Sequence, residues 1–431
     1  MRLMTAGTAA CAEFLEALRR RGGDPDPAVE ATVRGILEDV RCRGDAAVFA
    51  HTERLDGLRL TPETVRVPDA DRDAALAGLD PAVRDGLALA AARIENFHRR
   101  QRRESWFTEE AGIGVLGQLV RPLDRVGLYV PGGSAAYPSS VLMNAIPAAV
   151  AGVVEIAICT PAGKDGKVPP AVLAAAALAG VREIYRIGGA QAVGALAYGT
   201  ASVRRVDKIV GPGNVYVATA KRLVFGVVGI DMVAGPSEIL VVADETAPPG
   251  WVAADLLAQA EHDPLASAVC VTPSAALGRA VLADVERQLA LLPRGAVAAQ
   301  AVARFGAVIV VDDLAAAVRL ANGIAPEHLE LMVADPWALV PAVRHAGAVF
   351  LGRHTPEVVG DYLAGPNHVL PTGGTARFSS VLSVDDFQTR SSLVSLTPEA
   401  IRRWRGPIVG LAEMEGLAGH ARSITIRTEG T

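Results

Sequence analysis

The second half of the chain carries a small set of side chains whose types and spacing could bind a metal ion. Gln259 and His262 lie three residues apart in DLLAQAEHDP, and Asp361 and His368 lie seven apart in GDYLAGPNHVLPT. His420 stands near the C-terminus in EGLAGHA. Imidazole nitrogens with carboxylate or amide oxygens form a donor set that suits zinc and other late first-row divalent ions.

The pair Gln259 and His262 is predicted to lie at the C-terminal end of a helix. Residues three apart on a helix share a face, so both side chains can point at one ion. Pro264 follows closely and disfavours continuation of the helix, which places the two donors at its end. The alternative for this segment alone is a solvated helix end with a polar face.

The other candidate ligands are weaker when each is taken alone. The glycine- and proline-rich segment around Asp361 and His368 predicts a loop, and its alternative is an Asx turn beside a surface histidine. His420, five residues after Glu415, has the pattern of a helix-surface histidine. It matters only if the C-terminal tail folds back, or crosses to another subunit, so that Glu415 and His420 meet the other ligands.

An acid–imidazole pair, Glu327-His328, lies between these groups in IAPEHLEL. The pair follows a proline and precedes a predicted strand. Two titratable groups held side by side could divide the roles of acid and base. The alternative is an ion pair at the edge of a strand with no catalytic partner.

Length and composition narrow the kinds of protein that this chain can be. A chain of 431 residues is too long for one ordinary core, which predicts two or more domains. The net charge of −5 and the absence of a Lys/Arg block do not indicate nucleic-acid binding. The four cysteines are scattered without a CxxC motif, which favours buried thiols in a reducing compartment. With no signal-peptide pattern and no apolar run of roughly 18 residues, we expect no membrane span and a cytoplasmic location.

Alternating hydrophobic patterns predict an α/β fold. Strand-like and helix-like segments follow one another from VVEIAICTP to NVYVATAKRLVF, and again from SEILVVAD to AVFLG. We predict two Rossmann-like parallel-sheet domains with small helical segments at both ends. The predicted divisions are an N-terminal helical segment (1–25), a first α/β domain carrying the candidate metal and acid–base residues (26–128 plus 237–382), a second α/β domain (129–236), and a helical tail (383–431).

Three glycine-rich turns follow predicted strands: LYVPGGSAAYPSS, RIGGAQAVGALAYG and IVGPGNVYVATAK. Backbone amides in such turns can meet phosphate groups. None of the three matches the GxGxxG dinucleotide fingerprint. Spacing alone therefore predicts an anion-binding α/β domain without specifying a nicotinamide cofactor.

Together these segments resemble the histidinol dehydrogenase family. The resemblance runs through YVPGGSAAYPSSVLMNAIPA, GGAQAVGALAYGT, KIVGPGNVYVATAKR, DMVAGPSEILVVAD, AQAEHDP, APEHLEL, GDYLAGPNHVLPTGGTARFSS and EGLAGHA, in order along the chain. It implies an NAD-dependent, four-electron oxidation of L-histidinol to L-histidine through L-histidinal, with one zinc ion per subunit. It also implies a homodimer in which the C-terminal tail completes the neighbouring subunit's site.

The resemblance also implies the roles of individual residues. The expected zinc ligands are Gln259, His262, Asp361 and His420, and the expected general bases are Glu327 and His328. The expected substrate contacts are Ser237, Gln259, His262, His328, Asp361, His368, Glu415 and His420. The expected NAD contacts are Tyr129, Gln191 and Asn214.

Other functions remain open at this point. One alternative is a dehydrogenase of the same fold that oxidises another polar alcohol, which a panel of substrates would distinguish. Another is a metal- or nucleotide-binding protein without catalysis, although both candidate bases are present. A zinc hydrolase would leave the glycine-rich turns without a role.

Overall fold

The computed structural model describes residues 1–21, 26–132 and 136–429. The chain divides into two compact units, Met1–Gln101 with Asp124–Phe387, and Arg102–Leu123 with Gln388–Thr431. Part of the glycine-rich turn LYVPGGSAAYPSS, residues 133–135, lies outside the described residues.

A parallel six-stranded sheet in the first unit has the strand order β1-β11-β10-β9-β12-β13. The strands are β1 (Arg2–Thr5), β9 (Glu238–Ala243), β10 (Ser267–Thr272), β11 (Gly306–Val310), β12 (His328–Met332) and β13 (Ala348–Leu351). The helices that accompany it are α1 (Ala9–Arg21), α10 (Pro249–Ala260), α11 (Ala275–Leu289), α12 (Gly295–Phe305), α13 (Leu314–Ile324) and α14 (Val358–Tyr362). The strands β9 and β10 are buried and mostly apolar, as expected for a sheet covered on both faces, and β12 is equally buried but includes His328 and Glu330.

The connectivity of this sheet brings several candidate residues to one edge. After β9 the chain adds β10 and β11 on one side and then crosses to β12 on the other side of β9. In a βαβ unit the helix returns the chain to the edge where the parallel strands begin. The C-terminal end of α10 therefore lies at the same edge as the first residues of β9 and β12, where His328 pairs with Ile239.

A second parallel sheet in the same unit has the order β6-β5-β4-β7-β8. Its strands are β4 (Arg125–Tyr129), β5 (Glu155–Cys159), β6 (Glu183–Tyr185), β7 (Lys208–Val210) and β8 (Gly229–Ile230). The connecting helices are α6 (Pro138–Ala151), α7 (Pro170–Leu178), α8 (Gly189–Tyr198) and α9 (Val215–Val224). The strand order reverses between β4 and β7, which is where open α/β sheets usually bind ligands.

The N-terminal helices contribute to the core of this second sheet. They are α2 (Pro27–Arg43), α3 (Asp45–Asp56), α4 (Asp69–Ala77) and α5 (Pro81–Arg99). Val33 and Val40 of α2 share a hydrophobic cluster with Val193 of α8 and Ile209 of β7. The sequence patterns did not indicate this packing, and the domain boundaries stay predictions.

The second unit contains an antiparallel sheet and two helices. Its strands are β2 (Trp106–Glu110), β3 (Gly114–Pro122) and β14 (Gln388–Leu396), in the order β14-β3-β2. The helices are α15 (Pro398–Met414) and α16 (Ala418–Thr425). Across the described residues of both units, no helix has the length and apolar character needed to span a membrane.

The α/β class with two parallel sheets is confirmed, and both terminal segments contain helices as predicted but also carry a strand each. Arg2–Thr5 forms the edge strand β1 beside β11, and Gln388–Leu396 pairs along its length with β3. Both strands expose most of their side chains, so they lack the hydrophobic pattern that marks a buried strand. Their pairing depends on partners far away in sequence.

The cysteines form no disulfide: all four are free thiols, and only Cys42 is exposed. Burial raises the pKa values of Cys159 and Cys270 to about 12. Thiols with such pKa values are inert at neutral pH. The expectation of core thiols is confirmed for three of the four.

Candidate active site

The pair Glu327 and His328 is buried at the beginning of β12, where both residues bond to Glu238 at the beginning of β9. The Glu238 N–H donates to Oε2 of Glu327 at 2.9 Å, and the Glu327 N–H donates to Oε2 of Glu238 at 3.3 Å. Nδ1 of His328 lies 2.9 Å from the Glu238 carbonyl oxygen. A carbonyl only accepts, so Nδ1 carries the proton and Nε2 keeps its lone pair.

The surroundings shift the pKa values of both groups. Burial raises the pKa of Glu327 well above its usual range, and the nearby acidic groups Glu238, Asp361 and Glu357 raise it further. The hydrogen bond from the Glu238 N–H lowers the pKa but does not offset these effects. Burial lowers the pKa of His328 although the charge of Asp361 opposes it. The imidazole is therefore neutral near pH 7 and able to accept a proton, and the carboxylate is a stronger base than usual.

The geometry does not match the alternative of a simple ion pair at a strand edge. Nδ1 of His328 lies 3.7 Å from Oε2 of Glu327, and both side chains are less than a tenth exposed. Each group bonds to the backbone of the neighbouring strand instead of to the other. The pair is held as two separate groups that can act on a ligand.

A cluster of metal-binding type forms where α10 ends and α14 begins. One donor atom each of His262, Glu357 and Asp361 lies within 4.8 Å of the others. His262 is exposed just beyond the end of α10, Asp361 is partly buried in α14, and Glu357 is buried at the N-cap of α14. The structure thus brings His262 and Asp361 together, and it adds a third donor that the sequence analysis did not name.

Two buried residues in this region have oxygens that lack hydrogen-bond partners. Gln259, in the last turn of α10, is 1% exposed, and its Oε1 accepts no hydrogen bond. Both carboxylate oxygens of Glu357 are equally without a donor, and burial raises its pKa to about 9. Buried oxygens without partners are costly in a folded protein, and a bound cation would satisfy them. The donor set therefore fits a divalent metal ion.

Asp361 lies in the short helix α14, so the prediction of a loop at this residue is wrong. A helix of five residues is too short to show a helical period in sequence. Nδ1 of His368 lies 3.5 Å from Oδ1 of Asp361. Burial alone would raise the pKa of Asp361, but the hydrogen bond to His368 and the neighbouring imidazoles of His368, His328 and His262 together lower it. Asp361 is therefore ionised at neutral pH.

Hydrogen bonds anchor the segments that carry two further substrate candidates, Ser237 and His368. The carbonyl of Ser237, one residue before β9, accepts from the Ser267 N–H at 3.0 Å. Next to His368, the Asn367 side chain donates to the Met143 carbonyl at 2.5 Å and accepts from the Val369 N–H at 2.9 Å. These bonds anchor the irregular segment that carries His368.

The three NAD candidates follow strands of the five-stranded sheet at its carboxyl edge. Tyr129 ends β4, and its hydroxyl accepts from the Gly189 N–H at 3.1 Å. Gln191 is fully buried, and neither polar atom of its amide has a hydrogen-bond partner. Asn214 is exposed and caps α9 through its side-chain oxygen. An unpartnered buried amide at this edge fits a site that a polar ligand completes.

The turn before Asn214 requires a glycine. Gly211 has φ +110°, and a Cβ placed there would lie 2.2 Å from the Tyr129 carbonyl oxygen. The Gly211 N–H donates to Asp231 at 2.7 Å, and its carbonyl accepts from Lys221 at 2.8 Å. The turn is therefore fixed against the end of β4.

Glu415 and His420 belong to the second unit. Glu415 caps the C-terminal end of α15, and His420 lies in α16. Both side chains are exposed in the single chain. Their roles as a substrate contact and a zinc ligand stay predictions.

Sequence reasoning missed two acidic residues of the site. Glu357 precedes Asp361 by four residues, a spacing that signals a shared helix face once α14 is recognised. Glu238 begins the otherwise apolar strand EILVVA. A charged residue in a buried strand needs a partner, which was the available signal.

Comparisons with known proteins agree on one family. The family model described as histidinol dehydrogenase matches residues 19–428. The histidinol dehydrogenase of Syntrophotalea carbinolica is 57% identical over 99% of this chain and 99% of its own, and that of Rhizobium meliloti is 58% identical over 93% and 92%. The crystal structure of histidinol dehydrogenase from Elizabethkingia anophelis covers 100% of this chain and 98% of its own, with 36% identity and a TM-score of 0.93. This chain belongs to the histidinol dehydrogenase family.

Proposed function

We propose that this protein catalyses the last step of histidine biosynthesis, the oxidation of L-histidinol to L-histidine through L-histidinal with two NAD molecules and one water. The observation that carries the proposal is that the buried pair Glu327 and His328 lies at the start of β12, at the edge of the sheet where α10 ends beside the cluster of His262, Glu357 and Asp361. The four free thiols fit our expectation of a cytoplasmic enzyme.

We assign the metal site to Gln259, His262 and Asp361 of one subunit and His420 of the partner subunit. When bound, zinc would supply a positively charged anchor for the imidazole and amino nitrogens of the substrate. The orphaned oxygen of Gln259 supports this assignment. Exposure of His420 and Glu415 supports a homodimer in which the tail of each subunit reaches the other's site. Glu357 lies beside His262 and Asp361 and offers a further oxygen.

His328 serves the first oxidation. Conversion of an alcohol to an aldehyde removes a hydride from carbon and a proton from oxygen. Tyr129, Gln191 and Asn214 would hold NAD, which would supply the hydride acceptor. Nε2 of His328 takes the hydroxyl proton, since Nδ1 is bonded to the Glu238 carbonyl. Its lowered pKa keeps the ring neutral before the transfer.

Glu327 serves the second oxidation. A water molecule must add to the aldehyde carbon before a second hydride can leave to a fresh NAD. The Glu327 carboxylate takes a proton from that water, and burial in the site strengthens it as a base by raising its pKa. Ser237, His368 and Glu415 would contact the polar groups of the substrate and hold the aldehyde in place meanwhile.

Substrate choice and metal dependence test the proposal together. Purified enzyme is assayed for NADH formation with L-histidinol and with a panel of other polar alcohols, before and after chelation. We expect a clear preference for L-histidinol, loss of activity on chelation, and recovery on addition of zinc. A preference for another alcohol would support the alternative substrate, and full activity after complete metal removal would overturn the metal assignment.

A further inference from the structure

Three consecutive arginines end α1, and one of them is buried. The side chains of Arg19 and Arg20 are 67% and 78% exposed, and that of Arg21 is 3% exposed. Arg21 forms an ion pair with Glu238, whose side chain is 7% exposed. Its guanidinium carbon also lies 5.5 Å from the centre of the Phe305 ring. A charge in such a place is tolerated only with specific partners.

Arg21 also bonds to the backbone beside its ion pair. One guanidinium nitrogen donates to the carbonyls of Leu265 at 2.6 Å and Ser237 at 3.3 Å, and the other donates to the carboxylate of Glu238. Ser237 is a predicted substrate contact. Because a guanidinium has a rigid fork of donors, one side chain fixes two neighbouring residues at once.

Glu238 passes this constraint on to both proposed bases. Its carboxylate accepts from the N–H groups of Glu327 and Gly373, its own N–H donates to the Glu327 carboxylate, and its carbonyl accepts from Nδ1 of His328. Neither Arg21 nor Glu238 has a part in proton transfer in the proposed reaction. Their bonds instead determine where the two bases lie and which nitrogen of His328 is free.

We infer that Arg21 and Glu238 form a positioning pair that sets the geometry of Glu327 and His328, an inference that rests on the proposed function. Loss of Arg21 leaves the Glu238 carboxylate buried without a counter-ion, so it must take up a proton or turn away. Either change weakens the bonds to Glu327 at the start of β12. A displacement of about 1 Å at reacting groups lowers rates by about 100-fold.

The test compares R21Q and E238Q with wild type and with R20Q, which changes an exposed arginine of the same helix. We expect R21Q and E238Q to lower kcat with L-histidinol by about 10- to 100-fold. Zinc content and KM for NAD should stay near the wild-type values, and R20Q should match wild type throughout. The double variant R21Q/E238Q removes both buried charges, so its loss in kcat should be smaller than the product of the two single losses.

The pH profile of kcat separates positioning from mere stabilisation. The titratable groups that face Glu327 are Glu238 from β9, His328 from β12, Asp361 from α14 and Glu357 from the N-cap of α14. E238Q removes one negative charge near Glu327 and should therefore shift the acidic limb of the kcat profile to lower pH. A variant that is only less stable would keep the acidic limb at the wild-type pH. Folded R21Q with wild-type kcat and pH profile would overturn the inference. If R21Q does not fold, R21K replaces it, and wild-type kcat in R21K would overturn the role of the guanidinium fork. Inactivity of wild type with L-histidinol would instead reject the proposed function.

Discussion

The substitution Glu327→Gln should separate the two oxidations. The glutamine keeps the size of the side chain and an oxygen that can accept from the Glu238 N–H, now at 2.9 Å. It cannot take a proton from water. General base catalysis contributes about 10²- to 10⁴-fold, so oxidation of L-histidinal should slow by that factor, equivalent to about 3–5 kcal/mol in barrier height. Oxidation of L-histidinol depends on His328 and should change far less.

Single-turnover measurements with each substrate give the two rates separately. L-histidinol and L-histidinal are each mixed with excess E327Q and NAD, and NADH absorbance is followed. His328→Asn is the matched control, because it removes the other base and should slow the alcohol step most. The reasoning would be refuted if E327Q oxidised L-histidinal at the wild-type rate, or if both variants slowed the same step.

Three further predictions follow from particular contacts. Asp361→Asn removes the one ionised carboxylate of the predicted ligand set. Zinc affinity, measured by chelator competition, should therefore fall by at least about tenfold. The melting temperature of the metal-free protein should change little. Gly211→Ala places a Cβ 2.2 Å from the Tyr129 carbonyl oxygen, in a backbone conformation with φ +110°. We expect the free energy of unfolding in urea to fall by about 2–4 kcal/mol and NAD binding, measured by calorimetry, to weaken. Wild-type values of both would contradict the close approach. The pKa of Glu327 is raised in the folded state, so it contributes stability that is lost as pH rises above its ordinary range. The melting temperature of E327Q relative to wild type should therefore increase from pH 5 to pH 9, and a constant difference would contradict the shift.

The alternation of strands and helices was predictable because each buried strand and amphipathic helix has its own pattern. The run SEILVVAD predicts β9, and the stop signal at Pro264 locates the end of α10 near His262. In a parallel sheet, the end of α10 and the start of β12 lie at the same edge, so this topology places His262 at the edge where Glu327 and His328 lie. Short or exposed elements gave no such signal, as β1, β14 and α14 show.

Contacts between distant parts of the chain were not predictable. Arg21 lies 217 residues from Glu238, and nothing local distinguishes it from Arg19 and Arg20. The bonds between Glu238 and the start of β12 depend on the register of two strands that are 89 residues apart. The individual roles of the ligands and bases came from resemblance to a family, and spacing alone left them open.

The yield of NADH shows whether one active site carries out the whole four-electron oxidation. A limiting amount of L-histidinol is converted completely with excess NAD, and NADH, L-histidine and free aldehyde are quantified. We predict two NADH and one L-histidine for each L-histidinol, without accumulation of free L-histidinal. One NADH for each substrate with release of the aldehyde would contradict the four-electron oxidation.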